Sequence, residues 1–420
     1  MSVNNLCVKP AHLPERLTIS FPIWGLFDTD GKGAYADFDA MMREHAERGF
    51  NCIRLESGAG LMFDRVGNAL PPLRLRDAWG EYNRYVRQSH PFTPGSCDLR
   101  GRLIELFTAA KKHGIFIILS SWYFLHTYWF VEDARINEGI YAIPPHERYD
   151  AFAQYLHHIL HELEVRGLIS QLAYAEIFNE ADGLPFVGGY NNRCGLSVEE
   201  RARFREEHER AIAYLKQQHP GILFAYDISA PKADPILAPV NAEVLNFHSY
   251  FMWSAYTDFE NQPDRWLRKD RVFKQEIIAA SNDPARLPQD WIDRVWFYSN
   301  LDPARLPDAE RELTERFLQD LDRYRDKRDR NLALIRDYMD NVYPNALVVC
   351  GEGVSYTGTD ALQFEEKCPA YWDLLRETAR RYREFGLWGS VVRTCCGPED
   401  PVWYQYPEEL LSVNRAFAEV

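Results

Sequence analysis

The sequence predicts an α/β fold, namely a (β/α)₈ barrel whose long loops after the strands form a cap. Two observations lead to this prediction. Along the 420 residues, short apolar runs alternate with helical stretches, as expected for repeated βα units. The first strand-to-helix turn contains Gly31-Lys32-Gly33 without a third glycine, so it lacks the G-x-G-x-x-G signature of an open dinucleotide-binding sheet. A closed barrel is therefore favoured over an open sheet.

Eight apolar runs are the predicted strands, and each is short enough to be a buried parallel strand. They cover residues 18–26, 52–56, 115–122, 173–179, 223–228, 244–249, 346–351 and 387–394. Helical patterns between them predict helices at 35–48, 99–113, 147–166, 198–218, 361–385 and 408–418. A glycine follows several of these helices, as at Gly49, Gly114, Gly167 and Gly386, which is typical of a helix C-terminus.

The whole chain, residues 1–420, is predicted to be a single catalytic domain, because barrels of this kind reach such a length through loop insertions. Its 46% hydrophobic and 14% aromatic residues can fill a large core. The longest insertion, at about 254–345, is rich in arginine and aspartate, and both of its flanks return to predicted strands. We expect it to form surface helices that cap the barrel mouth.

The formal net charge of −14 opposes binding to nucleic acid or to an anionic membrane, so neither is an expected partner. The chain has no run of about 18 apolar residues, and its first residues lack the basic and apolar regions of a signal peptide. A cytoplasmic protein is expected, and the eight cysteines show no zinc-binding spacing. The sequence does not predict the oligomeric state.

Two of the predicted strands deliver a glutamate at the C-terminal end. One run ends in Asn179-Glu180, and the other ends in Gly351-Glu352-Gly353. A barrel of parallel strands builds its active site at that edge. Glycoside hydrolysis needs two carboxyl groups, one to protonate the leaving oxygen and one to meet the positive charge at the sugar carbon. This pair therefore predicts a glycosidase site that acts on a carbohydrate and needs no metal and no cofactor.

Other residues near the strand ends extend this pattern. Arg54 lies on the second strand within Ile53-Arg54-Leu55, and His248-Ser249-Tyr250 follows the sixth. In their joint order and spacing, these residues and the two glutamates resemble clan A glycoside hydrolases and are most similar to the cellulase-like family 5. The resemblance spans about residues 18–405.

The resemblance implies a retaining glycoside hydrolase that cleaves a β-glycosidic bond of an oligosaccharide or small glycoside. Glu180 would be the general acid/base, and Glu352 would be the nucleophile of a double displacement. Asn179 would hydrogen-bond the 2-hydroxyl of the sugar, a contact that strengthens toward the transition state.

Supporting roles follow from the same resemblance. Arg54 would lie beside Glu352 and stabilise its negative charge, while His248 and Tyr250 would orient the acid/base and the nucleophile. Aromatic faces pack against the C–H faces of sugars. Among the aromatic residues predicted to line the mouth, we single out three as substrate-binding, namely Trp122, Tyr250 and Trp253.

The sequence departs from the family pattern at two strand ends. Ser121-Trp122-Tyr123 ends the third strand where the family often has a histidine. Val392-Arg393-Thr394-Cys395 ends the eighth, where a tryptophan is usual, and Trp388 and Trp403 could replace that tryptophan only through loop geometry. Arg393 is a candidate to bind an acidic or heavily hydroxylated sugar.

Two other glutamates compete for the catalytic role. Glu56 ends the second predicted strand and could line the pocket. Glu176 lies inside the fourth strand on the same alternating face as Glu180. We expect Glu176 to be buried beneath the site or paired with a cation.

Two other classes of function stay open. A metal-dependent barrel hydrolase would need a His-x-His pair on the first strand, which contains no histidine. A catalytically silent carbohydrate-binding barrel would keep the aromatic residues and lose one carboxylate. The run His157-His158-Ile159-Leu160-His161 has a helical spacing that could bind a metal, but surface histidines are the favoured interpretation.

Overall fold

The computed structural model describes residues 8–27, 33–76, 82, 94–122, 131–183, 196–231, 233–252, 254–280, 289–354, 359–391 and 393–419, without the side chains of residues 254, 255, 290 and 291. Eight parallel strands in it close into a barrel surrounded by helices, which confirms the predicted (β/α)₈ fold. In chain order, the strands are β1 (Leu17–Ser20), β2 (Cys52–Glu56), β3 (Leu73–Leu75), β4 (Gly95–Cys97), β5 (Phe116–Ser120), β6 (Leu172–Glu176), β7 (Phe224–Ile228), β8 (Val244–Ser249), β9 (Leu347–Gly353) and β10 (Gly389–Val391). Strands β3 and β4 form a separate antiparallel hairpin in the loop after β2.

The first and last barrel strands are shorter than the apolar runs that predict them. Strand β1 ends at Ser20, and the chain then turns, with the N–H of Gly25 donating to the carbonyl of Pro22 at 3.0 Å. Strand β10 ends at Val391, and the N–H of Thr394 donates to the carbonyl of Gly353 at 2.6 Å. The apolar residues past β1 are buried in a loop, as are Arg393 and Thr394 past β10, so burial of these loops makes the predicted strands too long.

The helices surround the barrel and fill the long insertions. In chain order they are α1 (Phe38–Glu47), α2 (Leu99–His113), α3 (Ala134–Tyr141), α4 (Arg148–Val165), α5 (Val198–Gln218), α6 (Ser254–Glu260), α7 (Pro263–Trp266), α8 (Lys274–Ala280), α9 (Gln289–Ser299), α10 (Leu306–Gln319), α11 (Leu321–Val342), α12 (Phe364–Lys367), α13 (Pro369–Phe385), α14 (Pro401–Gln405) and α15 (Pro407–Ala418). None of these described helices is long and apolar enough to cross a membrane.

Local sequence signals set several helix ends. Gly114 and Gly386 end α2 and α13 with left-handed backbones, φ 68° and 94°, as the glycine pattern predicts. Ser197 and Glu200 form a capping box at the start of α5. The predicted helix 361–385 is interrupted at Cys368, because Pro369 cannot donate a backbone hydrogen bond and its ring disfavours a helical residue before it.

Helices α6 to α11 occupy the segment between β8 and β9 for which the sequence predicts a helical insertion. Helix α11 returns along the outside of the barrel, where Nδ2 of Asn331 donates to Oγ of Ser249 at 3.0 Å. Arg328 of the same helix donates to Glu377 of α13 at 2.9 Å. A cap over the barrel mouth and a single domain for the whole chain stay predictions.

The barrel interior is built in layers, because side chains alternate between its two faces along each strand. A lower layer is apolar, and its members pack in one buried cluster that includes Cys52, Ile118, Tyr174, Ala225, Val244 and Val349. Two positions further along their strands, four inward positions are polar instead, namely Arg54, Glu176, Asp227 and Asn246. The barrel thus changes from an apolar to a charged interior toward the carboxyl ends of its strands.

Candidate active site

Arg54 is the centre of the buried polar layer. Its Nη1 atom donates to Oε1 of Glu352 at 2.9 Å. Its Nη2 atom contacts Oε2 of Glu176 at 2.7 Å and Oδ2 of Asp227 at 2.9 Å. The same nitrogen lies 2.7 Å from Oδ1 of Asn179, which fixes the orientation of that amide. One guanidinium group therefore connects β2 with residues near the carboxyl ends of three other strands, β6, β7 and β9.

The charges in this layer compensate one another. Burial acts to lower the pKa of Arg54, but the carboxylates of Glu176, Asp227 and Glu352 outweigh it and hold the pKa well above its ordinary value. Burial raises the pKa of Glu176, which Arg54 opposes and the charge of Asp227 reinforces. Burial would also raise the pKa of Asp227, but His248 and Arg54 outweigh it and lower the pKa. Asp227 is thus held as the anion between two cations.

Asn246 joins the two buried carboxylates of Glu176 and Asp227, which Arg54 also contacts. Its Nδ2 atom donates to Oε1 of Glu176 and to Oδ2 of Asp227, both at 2.6 Å. Gly351 on the adjacent strand has room for no side chain, because a Cβ atom there would lie 2.2 Å from Oδ1 of Asn246. A glycine before Glu352 is therefore required by the packing of the layer beneath the site.

Glu180 follows β6 and is fixed by its backbone and by its side chain. It has a left-handed backbone, φ 51°, which is uncommon for a residue other than glycine. Its N–H donates to Oδ1 of Asp227 at 2.6 Å, and its Oε1 atom lies 2.9 Å from Nδ1 of His248. The side chain remains 31% exposed, so the carboxyl group is accessible from the barrel mouth.

His248 lies between three carboxyl groups and is itself buried. Its Nδ1 atom faces Glu180, while its Nε2 atom lies 3.2 Å from Oδ2 of Asp227 and 3.5 Å from Oε1 of Glu352. Burial would lower the pKa of His248, but the charges of Asp227 and Glu352 outweigh it and hold the pKa well above its ordinary value. The ring is therefore an imidazolium that donates from both nitrogens.

Glu352 receives a separate donor on each carboxylate oxygen. Oε1 accepts from Arg54, and Oε2 accepts from the hydroxyl of Tyr250 at 2.8 Å. Burial and the charge of Glu352 raise the pKa of Tyr250 well above its ordinary value, so the phenol keeps its proton. The hydroxyl of Thr394 lies 3.0 Å from that of Tyr250, which ties the donor to the loop after β10.

The two glutamates that the sequence singles out face each other. One oxygen of Glu180, one oxygen of Glu352 and one nitrogen of His248 all lie within 4.8 Å of one another. Three such atoms could also hold a metal ion. Both ring nitrogens of His248 already contact carboxylates, however, and the cation of Arg54 and the hydroxyl of Tyr250 occupy the two oxygens of Glu352. The donor set therefore fits a metal poorly.

The aromatic residues predicted to contact the substrate have different locations. Trp122 is only 3% exposed, and the guanidinium carbon of Arg54 lies 4.5 Å from the centroid of its ring. Little of this ring is left for a sugar, and its main contact is with Arg54. Tyr250 reaches Glu352 through its hydroxyl. Trp253 lies outside the described residues. So do Tyr123 and residue 392, which belong to the two segments that depart from the family pattern.

Three further predictions concern residues near the site. Glu176 is buried and paired with Arg54, as expected. Glu56 accepts from the backbone N–H groups of Gly58 at 2.9 Å and Trp122 at 2.6 Å, so it stabilises the loops. The suggestion that Arg393 binds a sugar is wrong, because Arg393 is fully buried and donates to Oε1 of Glu366 at 2.9 Å.

Trp388 and Trp403 do not face the two glutamates. The sequence analysis considers them as replacements for the tryptophan that the family usually has after the eighth strand. Trp388 donates from Nε1 to the carbonyl of Pro14 at 3.1 Å, at the amino-terminal end of β10. Trp403 lies on α14 and donates to Oε2 of Glu44 at 2.8 Å, on the outside of the barrel.

Asp227 and Asn246 are the site residues that the sequence analysis does not identify. Asp227 is the one charged residue of Phe224–Ile228, and Asn246 is the first of the polar residues in Val244–Ser249. A polar side chain in a fully buried strand needs partners. A polar residue two positions after an apolar residue that points into the barrel is the sequence pattern that could have identified both.

Comparison with known proteins places the chain among sugar-binding barrels. A family model described as sugar-binding cellulase-like matches residues 22–275. No curated protein matches the chain. A candidate glycoside hydrolase from Parabacteroides distasonis is similar in structure, with a TM-score of 0.65, 16% identity, and coverage of 96% of this chain and 94% of that chain.

A GH5-4 broad-specificity endoglucanase from Clostridium acetobutylicum is similar with a TM-score of 0.51 and 14% identity, covering 95% of this chain and 97% of that chain. At such identities the two solved structures support the barrel fold alone. The match to the family model extends over more than half of the sequence.

Proposed function

The chain belongs to the sugar-binding cellulase-like family, and on that premise we propose that it is a retaining glycoside hydrolase. Its substrate is a β-linked oligosaccharide or small glycoside, and Glu180 and Glu352 carry out the chemistry. The observation that supports this most strongly is their separation, since an oxygen of one lies within 4.8 Å of an oxygen of the other. Carboxyl groups are about 5–5.5 Å apart in retaining enzymes and about 6.5–9.5 Å apart in inverting ones.

In the first step, the Glu352 carboxylate attacks the anomeric carbon while Glu180 protonates the glycosidic oxygen. The bond from carbon to that oxygen breaks, the alcohol leaves with the proton, and the sugar is joined to Glu352 as an ester. In the second step, Glu180 takes a proton from water and the water oxygen attacks the same carbon. The ester bond breaks, Glu352 regains its charge, and the product keeps its original configuration.

The contacts of Glu352 suit a nucleophile that also has to leave. Arg54 and Tyr250 donate to different oxygens, at 2.9 and 2.8 Å. These donors hold the carboxylate in one orientation before attack and stabilise the charge that returns when the ester breaks.

The side chain of Asn179 is positioned to hydrogen-bond the sugar. Its Oδ1 atom accepts from Arg54 at 2.7 Å, so its Nδ2 group is left to donate to the substrate. A hydrogen bond to the 2-hydroxyl that strengthens in the transition state would raise kcat more than it lowers KM.

The decisive experiment measures hydrolysis of a panel of aryl β-glycosides by Glu352→Gln and Glu180→Gln. Glu47→Gln is the matched control, because that side chain is 61% exposed on α1. We expect the control to match the wild type, and Glu352→Gln to lose at least about 10³-fold in kcat, within the range seen when a catalytic group is removed. Wild-type rates in Glu352→Gln would refute the proposal.

The alternatives give different results in the same assay. A metal-dependent hydrolase would lose activity with a chelator, which leaves a two-glutamate mechanism unaffected. A silent carbohydrate-binding barrel would bind sugars without turnover in the wild type. Because the Clostridium acetobutylicum structure is described as an endoglucanase, β-glucosides and short β-glucans are the first substrates to test. A cytoplasmic location stays a prediction.

A further inference from the structure

A second cluster of ionisable side chains lies at the opposite end of the barrel from Glu180 and Glu352. His157, His161 and Glu164 are at positions i, i+4 and i+7 of α4, which places them along one face of that helix. His219 is the C-cap residue of α5 and is only 1% exposed. Helices α4 and α5 both lead back to the amino ends of the next strands, so their C-terminal ends meet on that side of the barrel.

His219 is inserted between members of the α4 face. Its Nε2 atom lies 2.9 Å from Nδ1 of His157, and its Nδ1 atom lies 2.7 Å from Oε1 of Glu164. The other oxygen of Glu164 lies 3.9 Å from Nδ1 of His161. The ring centroids of His157 are 5.0 Å from those of His219 and 6.1 Å from those of His161. His157 and Glu164 thus contact His219 directly, and His161 lies one helical turn from His157 with its ring beside it.

The nitrogens of His157 and His219 face each other at a distance close to that of two ligands on one metal ion. With metal–nitrogen bonds of about 2.0–2.1 Å and tetrahedral angles, two ligand nitrogens are about 3.3 Å apart. A shift of a few tenths of an ångström would open the 2.9 Å contact to that spacing. Glu164 accepts from the remaining nitrogen of His219, as a carboxylate does behind many metal-binding histidines.

We propose that His157, His219 and His161 bind a divalent transition-metal ion of the Zn²⁺ class, with Glu164 orienting His219. The ion takes the place of the proton shared by His157 and His219, and that proton moves to Nε2 of His157. His161 is 63% exposed and completes the site by rotating its side chain toward His157. Imidazole ligands favour Zn²⁺, Co²⁺, Ni²⁺ and Cu²⁺ over Mg²⁺ or Ca²⁺.

The contacts of His219 assign one ring nitrogen to each partner, since Nδ1 faces Glu164 and Nε2 faces His157. Binding would clamp the C-terminal ends of α4 and α5 together and would stabilise the folded state in proportion to the occupancy of the site.

The site is tested by titrating the metal-free full-length protein with Co²⁺, whose absorption spectrum reports its coordination, and with Zn²⁺ in thermal unfolding. His157→Ala and His161→Ala remove ligands, and the latter cannot unfold the protein because its side chain is mostly exposed. His158→Ala is the matched control, because its Nε2 atom lies 3.3 Å from the carbonyl of Arg65 and does not face the cluster. Glu352→Gln reports binding at the catalytic carboxylates.

We expect one equivalent of Co²⁺ to bind the wild type, His158→Ala and Glu352→Gln alike, and Zn²⁺ to raise their unfolding temperatures. His157→Ala and His161→Ala should bind at least about tenfold more weakly. No binding by the wild type, or unchanged affinity in both ligand variants, would overturn the assignment, as would loss of binding in Glu352→Gln alone. Hydrolysis by these variants is a separate readout, so the two proposals can fail independently.

Discussion

Oδ1 of Asp227 accepts a 2.6 Å hydrogen bond from the backbone N–H of Glu180. The other oxygen of Asp227 lies 3.2 Å from Nε2 of His248, whose opposite nitrogen contacts the Glu180 side chain. A single buried carboxylate of β7 thus fixes the backbone of Glu180 directly and its side chain through His248. Asp227, which is fully buried, therefore holds the proposed acid/base Glu180 in position.

Replacing Asp227 with Asn should therefore slow catalysis. Hydrogen bonds to charged groups contribute about 1.5–3 kcal/mol, which corresponds to about a 10–150-fold loss in kcat. KM should change less, because Asp227 does not contact the sugar. The control is Asp234→Asn, which removes an ion pair with Arg201 away from the site. Equal kinetics in the two variants would contradict the positioning role.

The raised pKa of His248 gives stability a specific pH dependence. Because the folded pKa lies well above the unfolded value of about 6.5, protonation of His248 stabilises the folded state fully below that pH. This contribution is lost as the pH rises through the folded pKa. Urea unfolding of the wild type and His248→Gln should show a gap in unfolding free energy that is largest near neutral and acidic pH and narrows in the alkaline range. A gap that widens with rising pH would contradict this.

Arg54 should be the largest single electrostatic contributor to stability in the barrel. Arg54→Met leaves Glu176, Asp227 and Glu352 without the cation that they share, and removing one partner of a buried pair costs about 3–5 kcal/mol. Arg135→Met is the control, because that side chain is 86% exposed and water screens its pair with Asp133. Similar midpoints of urea unfolding for the two variants would contradict the conclusion that Arg54 compensates the buried charges of Glu176, Asp227 and Glu352.

Tyr250→Phe removes one donor from Glu352 and preserves the ring. We expect kcat to fall by about 10–150-fold, because a hydrogen bond to a charged group contributes about 1.5–3 kcal/mol. Tyr404→Phe, at a position 60% exposed, should leave the rate unchanged. If Tyr250→Phe turns over as fast as this control, the phenol does not hold the nucleophile in place.

The fold could be predicted because each barrel strand is a short, largely apolar run, buried by the surrounding helices on its outer face and by the barrel interior on its inner face. The positions of Glu180 and Glu352 at the carboxyl end of the barrel could also be predicted, since each glutamate comes at the end of an apolar run in the sequence. The boundaries after Ser20 and Val391 were not, because the loops there are as buried as the strands. Hydrophobicity reports burial and does not distinguish a strand from a buried turn.

The partners of the site residues could be predicted only in part. Arg54 was placed beside Glu352, but its simultaneous contacts with Glu176 and Asp227 depend on the stagger of strands far apart in sequence. The prediction that Arg393 binds a sugar is wrong because its buried partners, Glu365 and Glu366, could not be identified from the sequence. They lie on α12, a short helix that the sequence analysis predicts as part of one longer helix with α13. His219 is likewise 62 positions from His157, and no local pattern relates them.

The most direct test of the account is to trap the covalent intermediate. An activated 2-deoxy-2-fluoro β-glycoside slows both steps, because fluorine destabilises the positive charge at the anomeric carbon and removes the 2-hydroxyl contact. Digestion and mass spectrometry then identify the labelled peptide. We predict one sugar per chain, attached to Glu352. A label on Glu56, Glu176 or Glu180, or turnover of the substrate with no label on the chain, would contradict the central claim.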